Sequence, residues 1–183
     1  QSNALDGFKT VWIDSGTKAE ELAVAHTLKT VKHEKGHFVD NIEGYGFGKG
    51  PGHVYDTFLL LLADLDMNRR KGRNVGLICH DCTETVPNPA GEDWLRYEPF
   101  LQRPKSGKAS IRNRVVQWAD HVLYLGYDIV VDRDGKGKGG GTRTIYPVER
   151  PTHLAKSRTL TEPMPFDGPT DGAIWNAIFG GTK

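Results

Sequence analysis

The stretch Phe8-Lys9-Thr10-Val11-Trp12-Ile13-Asp14-Ser15 constrains the fold more than any other part of the chain. Its β-branched and aromatic residues predict a buried strand. An apolar strand that ends in a carboxylate and a hydroxyl delivers both groups to one edge of a sheet, the layout that offers an aspartate to a Mg-nucleotide site. The same layout serves an aspartate that merely caps the next helix. In the first case the strand needs an upstream partner, a glycine-rich loop ending in Lys-Ser or Lys-Thr, to cradle the phosphates. The residues before Phe8 do not supply one, so the expectation is half of a nucleotide site.

The rest of the chain alternates helix and strand signals. Thr17 or Ser15 can cap a helix running from Lys18 to about Lys35, with Leu22, Ala25, Leu28 and Val31 on one stripe and Gly36 as its stop. His37 to Gly52 is glycine-rich and aromatic, too long for a tight turn. His53 to Lys71 repeats apolar residues at Val54, Phe58, Leu61, Leu62 and Leu65, and places Arg69-Arg70-Lys71 in its last turn, where cations suit the helix dipole. Val75 to Cys79 predicts a second buried strand, a proline-punctuated loop follows, and a short helix spans about Ala109 to Ala119. Asp120 to Gly126 predicts a third strand. Asp128–Asp132 and Thr142–Val148 predict a hairpin around the 134–141 turn, and Ala173–Phe179 a final helix. This order is α/β: parallel core strands covered on both faces, with a C-terminal antiparallel β-hairpin.

Length and charge narrow the function classes. A chain of 183 residues predicts one domain. No apolar run approaches the roughly 20 residues of a membrane span, and no secretory signal is present, so the expected location is the cytoplasm. Two cysteines three residues apart, Cys79 and Cys82, make no disulfide framework and fit a reducing compartment. Gln1 to Ala4 resemble a tag-cleavage scar. Residues 103–158 hold 12 Lys and Arg against 5 Asp and Glu, a +7 block within a chain of net charge +1. Such a block meets phosphates, or is simply a solvated face.

Four further groups are candidates for chemistry. His80 and Asp81 end the second strand, so a polar side chain there points to the same crevice as Asp14, where it could sense a terminal phosphate or position water. Cys79-His80-Asp81-Cys82 could bind a metal, yet neighbouring strand residues point to opposite sides and no second ligand pair is present. The 44–52 loop does not fit G-x-x-x-x-G-K-[ST]. It is either a plain loop or a contact for nucleic acid through Tyr45, Phe47 and Lys49. Lys156 and Arg158, two apart in extended chain, share one side and could reach phosphates, including those held by a neighbouring subunit; the alternative is two exposed charges.

Taken in order, Lys9–Thr17, Asn74–His80, Pro104–Ala109, Trp118–Val122 and Ala155–Arg158 resemble phage and prophage RecA-like P-loop ATPases, an AAA-type group associated with single-strand annealing. The resemblance covers most of residues 8–166. It implies a partial RecA-like P-loop sheet, with residues 5–166 the C-terminal part of the ATPase domain and 167–183 a tail with a short helix. It further implies Asp14 as the Walker B aspartate associated with Mg²⁺, Ser15 beside it at the ATP, His80 as the sensor, and Lys156 and Arg158 as phosphate contacts acting in trans. The implied cofactors are ATP and Mg²⁺. The implied partners are single-stranded DNA, a phage recombination or replication protein, and further copies of the chain in a bacterial host cell. The Walker A segment of the family is missing, so hydrolysis is expected only where that segment is present. Two other readings stand beside it: a non-enzymatic DNA- or protein-interaction module, and a metal-dependent phosphohydrolase using Asp14, His80 and Asp81.

Overall fold

The computed structural model describes residues 4–104 and 109–180. Lys105 to Lys108 of the third sequence block, Gln1 to Asn3 of the expected scar and Gly181 to Lys183 of the expected tail lie outside the described residues. The chain divides into two compact units, residues 1–81 with 99–115, and residues 82–98 with 116–183.

The first unit is built on a parallel strand pair, β1 (Thr10–Asp14) and β2 (Asn74–Ile78). Two helices, α1 (Gly16–Thr30) and α2 (Lys49–Arg70), lie between them in sequence and supply the long connection that parallel pairing requires. The register sets Val11 opposite Val75 and Ile13 opposite Leu77, so these four share one face. Trp12 lies opposite Gly76, and a Cβ on Gly76 would come 2.1 Å from the indole, so only glycine leaves room for that ring. The expectation of a sheet covered on both faces is corrected here: Trp12 and Ile78 are each almost half exposed. Among the described residues the pair has two strands only.

The α1–α2 contact holds the core: Ala23 and Thr27 of α1 meet a row of Val54, Phe58, Leu62 and Leu65 on α2, all buried. The stripe differs from the one expected on α1, since Leu22 is 62% exposed. Small residues let the helices approach closely, and the Thr27 hydroxyl is satisfied by Thr57 at 2.7 Å. α1 also ends earlier than its periodicity predicts. At the helix end the hydroxyl of buried Tyr45 donates to the Val31 carbonyl (2.8 Å) and faces that of Thr27 (3.2 Å), which also accepts the Val31 N–H at 2.8 Å.

The 37–52 loop is correspondingly more ordered than its glycines predict. Asn41 caps a short 3₁₀ turn, Ile42–Tyr45, by accepting from Gly44 N–H at 2.8 Å. α2 then starts at Lys49, before His53, with Pro51 in its first turn, where a proline is tolerated. Gly50 sits where a Cβ would fall 2.1 Å from the Ile42 carbonyl oxygen.

The first residues of α3 (Ile111–Trp118) belong to this unit and the last to the second. The regular structure of the second unit is mainly β. β3 (Asp81–Val86) pairs with β4 (Trp94–Pro99), where only a loop is predicted. The alternating burial along Asp81-Cys82-Thr83-Glu84-Thr85-Val86 is the period-2 signal that the flanking prolines obscured. β5 (Tyr124–Val131), β6 (Gly137–Tyr146) and β7 (Met164–Phe166) form an antiparallel sheet in that order. An antiparallel hairpin is present, but with a shorter turn and another pairing than expected: Ile129–Val131 pair with Gly137–Gly139, and Tyr124–Tyr127 with Arg143–Tyr146. The third parallel strand is not found among the described residues. Its Tyr124–Gly126 portion is the start of β5 and pairs with β6, with a register shift between Tyr127 and Ile129. A last helix, α4, spans Ala173–Phe179.

His153 sits at the centre of an aromatic cluster in this unit. Its ring lies 4.7 Å from Tyr124 and 4.6 Å from Tyr146, and Tyr97 stacks on Tyr124 at 5.5 Å. The residue is 3% exposed, and its Nε2 has no hydrogen-bond partner among the described residues. Burial, and to a smaller extent the charge of Arg150, hold its pKa below the ordinary histidine value, with a backbone bond to Val148 opposing them.

Gly50→Ala raises helix propensity, which by itself stabilises by about 1 kcal/mol, but here it drives a methyl into backbone. The net effect expected is a loss of about 1–3 kcal/mol, read from the urea midpoint. Because the folded-state pKa of His153 is depressed, the unfolded chain takes up its proton first as the pH falls through about 6.5. Stability present above that pH is lost below it, and His153→Phe flattens this part of the profile.

Candidate functional site

The parallel pair places the sequence-predicted residues of the first unit at one edge. Asp14 is exposed at the carboxyl end of β1, opposite Ile78 at the end of β2. His80, also exposed, follows two residues later. The Asp14–Ser15 peptide is cis. Ser15 is buried, and its Oγ accepts from Lys18 N–H at 3.1 Å, which makes it the N-cap of α1. Thus Asp14, Ser15 and His80 share the carboxyl edge of the strands, where open α/β sheets bind ligands. The hydroxyl beside Asp14 already serves the helix.

The helix start is pressed against the end of β2. A Cβ on Gly16 would lie 2.9 Å from Cys79 Sγ. Burial, together with the nearby negative charge of Glu20, pushes the Cys79 thiol up to about 11. Thr17 Oγ1 accepts from His80 N–H at 3.2 Å and donates to the Phe100 carbonyl at 3.1 Å, while Phe100 N–H donates to the His80 carbonyl at 2.8 Å.

Sequence reasoning missed what lies beyond Phe100. Gln102 N–H donates to Glu20 Oε2 at 2.7 Å, and its carboxamide donates to the carbonyls of Pro51 and Ala109, both at 3.1 Å. Arg112, 3% exposed, donates from Nε to the Leu101 carbonyl at 3.2 Å. Burial raises the Glu20 pKa, against the pull of the Gln102 N–H and the Arg112 charge. Glu20 and Gln102 stand 82 positions apart, a pairing with no local sequence signal. The one available hint is that Thr17 and Glu20 share a helix face at a spacing of three.

The four-residue metal motif does not assemble. Cys82 Sγ faces the Glu98 carbonyl at 3.5 Å, and the described residues include no group of three or more His, Cys, Asp or Glu placed to hold an ion. The residues do fit part of a Mg-nucleotide site, since the exposed Asp14 carboxylate can accept from the water shell of a magnesium ion. The 183-residue sequence has no G-x-x-x-x-G-K-[ST].

Lys156 and Arg158 belong to the second unit and do not act as a pair there. Lys156 Nζ donates to the carbonyls of Val116 (2.7 Å) and Gln117 (3.4 Å) at the end of α3, a favourable place for a cation. Arg158 is 68% exposed in its side chain and meets Asp120 at 2.8 Å.

The glycine-rich loop borders an open cleft of about 240 Å³ in the first unit, lined by Lys32, His33, Glu34, Tyr45, Lys49 and His53. Lys49 pairs with Glu34 and holds that carboxyl below its usual range. Phe47, 97% exposed at a φ of +48°, stands at the tip, and Lys32 lies 5.3 Å from the Phe38 ring.

Residues 2–159 match the family model of an AAA domain, and the chain belongs to that family. Its members are P-loop ATPases that use ATP and Mg²⁺, so the membership carries an ATP-binding function. No curated protein and no solved structure matches the chain. Among the described residues no helix is long and apolar enough to cross a membrane.

Cys79 offers a direct check of the packed edge. With the thiol held near 11, iodoacetamide at pH 8 is expected to leave Cys79 unmodified in the folded chain and to label it in urea, as read by peptide mass spectrometry.

Proposed function

We propose that this member of the AAA domain family contributes the Walker B and sensor part of a RecA-like ATPase acting in phage or prophage DNA recombination or replication. One observation carries the reading: in a chain of this family, Asp14 and His80 emerge at the same edge of a parallel strand pair. Asp14 would help hold a magnesium ion through its water shell, and the ion would offset charge on the nucleotide phosphates. His80 orients the attacking water or reads the terminal phosphate. Ser15 fixes Asp14 by anchoring the first turn of α1. The cradle of backbone amides and its lysine come from a Walker A segment outside these 183 residues, and turnover requires it. When that segment is present, ATP is held at an interface between copies of the protein.

The trans contact falls on Arg158 more readily than on Lys156. An exposed guanidinium with one carboxylate partner can turn to a neighbour's phosphates, whereas Lys156 must first release two helix-end carbonyls. Single-stranded DNA is the polymer substrate in this reading. The cleft favours an interaction role as well: cationic Lys32 and Lys49, with Phe38 and Phe47 exposed beside them, are the groups on which an unpaired strand stacks and neutralises its phosphates. This second reading, a DNA-interaction module, needs no nucleotide.

ATP turnover by the chain joined to a Walker A segment tests the first reading. Turnover stimulated by single-stranded DNA is expected, with Asp14→Ala lowering kcat by roughly 100-fold or more. Absence of turnover, or an Asp14→Ala variant equal to the parent, would sink it. Salt-dependent DNA binding that ignores nucleotide and falls with Phe47→Ala supports the second reading instead.

A further inference from the structure

The hydrogen bonds around Phe100–Gln102 have no part in the functions assigned above, yet they converge on the backbone of His80. Thr17 is the centre of this arrangement. Its single hydroxyl accepts from the His80 N–H and donates to the Phe100 carbonyl, and the Phe100 N–H returns to the His80 carbonyl. Both backbone groups of His80 are therefore held, one by a side chain of α1 and one by the segment at 100. Glu20, on the same face of α1, takes the Gln102 N–H and holds that segment at a second point. The Gln102 carboxamide then ties it to the first turn of α2 at Pro51 and to Ala109 at the entry to α3. Leu101, 3% exposed, is the apolar pin between the two attachments.

We propose that Thr17 is a positioning residue for His80, with Glu20 and Gln102 fixing the 100–102 strap against which Thr17 works. The inference rests on the reading of His80 as the residue that faces the terminal phosphate. The imidazole is exposed, and the hydrogen bonds to its backbone N–H and carbonyl help fix where it starts. β2 ends at Ile78 and β3 begins at Asp81, so Cys79 and His80 lie between two strands, where Thr17 and Phe100 hold the His80 backbone. A sensor must be held to a fraction of an ångström to report a phosphate. Thr17 is suited to this because it lies only three residues from Asp14: the same turn of α1 that Ser15 caps sets both groups. Valine at position 17 preserves the shape and removes both hydrogen bonds; serine preserves the hydroxyl.

Hydrogen exchange of this chain, followed residue by residue by NMR, tests the proposal with Thr17→Val and Thr17→Ser. In Thr17→Val the His80 and Phe100 amides are expected to exchange about tenfold faster, while those of Phe58 and Leu62 in α2 stay at parent rates. The His80 ring resonances move at the same time, and Thr17→Ser restores both readouts. Parent-like exchange at His80 in Thr17→Val overturns the proposal, as does uniform acceleration that includes α2. In the protein bearing a Walker A segment, Thr17→Val lowers kcat for ATP more than it changes KM. Unchanged kcat alongside altered exchange shows that the latch does not position a functional group, and overturns the proposal too. A parent with no turnover defeats the nucleotide reading itself, and the exchange measurements still decide whether Thr17 holds His80.

Discussion

The in-register pairing of β1 with β2 is the constraint on which the first unit depends. Five residues of each strand pair without a slip, from Thr10 with Asn74 to Asp14 with Ile78. Moving the register by one residue would exchange the faces of Val75 and Leu77, removing the apolar partners of Val11 and Ile13. It would also turn Gly76 away from Trp12, whose ring fits only over a residue without a Cβ. The register is thus fixed by packing, and the site inherits it: Asp14 and His80 share an edge because the strands that carry them cannot slide.

The helices fix the remaining freedom in the same manner. α1 begins at Gly16, just after its Ser15 cap, and a larger residue at position 16 would strike Cys79. A helix locked at its first turn by a cap and a close contact presents Thr17 and Glu20 in a defined direction. Their partners, Phe100 and Gln102, then bring α3 and the first turn of α2 to the same place. A residue far along the chain is held at the strand edge by polar groups that are half-buried, where each unmade hydrogen bond would cost more than in water.

Local patterns made the helices, the β1 and β2 strands and the hairpin legible, because burial imposes a period on the sequence. The Phe8–Asp14 and Val75–Cys79 runs located β1 and β2, and the apolar repeat from Val54 to Leu65 located α2. What stayed hidden depended on distant partners. The buried face of α1 turned out to be Ala23 and Thr27, since a threonine counts as polar until Thr57 is known to face it. Tyr124–Gly126 reads equally well as a parallel or an antiparallel strand, and only its pairing with Tyr146 and its neighbours decides. Of the site, Asp14 and His80 were visible because a polar residue closing an apolar run is a local signal. Glu20, Gln102 and Arg112 were not, because their polarity is unremarkable until the fold buries them.

The contrast between Lys156 and Arg158 shows the limit of spacing arguments for charged side chains. Two residues apart in extended backbone, they were expected to share a side. Lys156 sits in a bridge with Val122, and that pairing aims its ammonium at the carbonyl end of α3. Unpaired carbonyls at a helix terminus carry partial negative charge, so a half-buried lysine there gains two acceptors. Arg158 lies beyond the bridge and pairs with the exposed Asp120, for which screening by solvent leaves little holding energy. The backbone pattern placed both residues together, and the competition among nearby acceptors separated them. A cation held by helix carbonyls is a structural element, whereas one held by a single solvated carboxylate stays available to a stronger anion such as a phosphate.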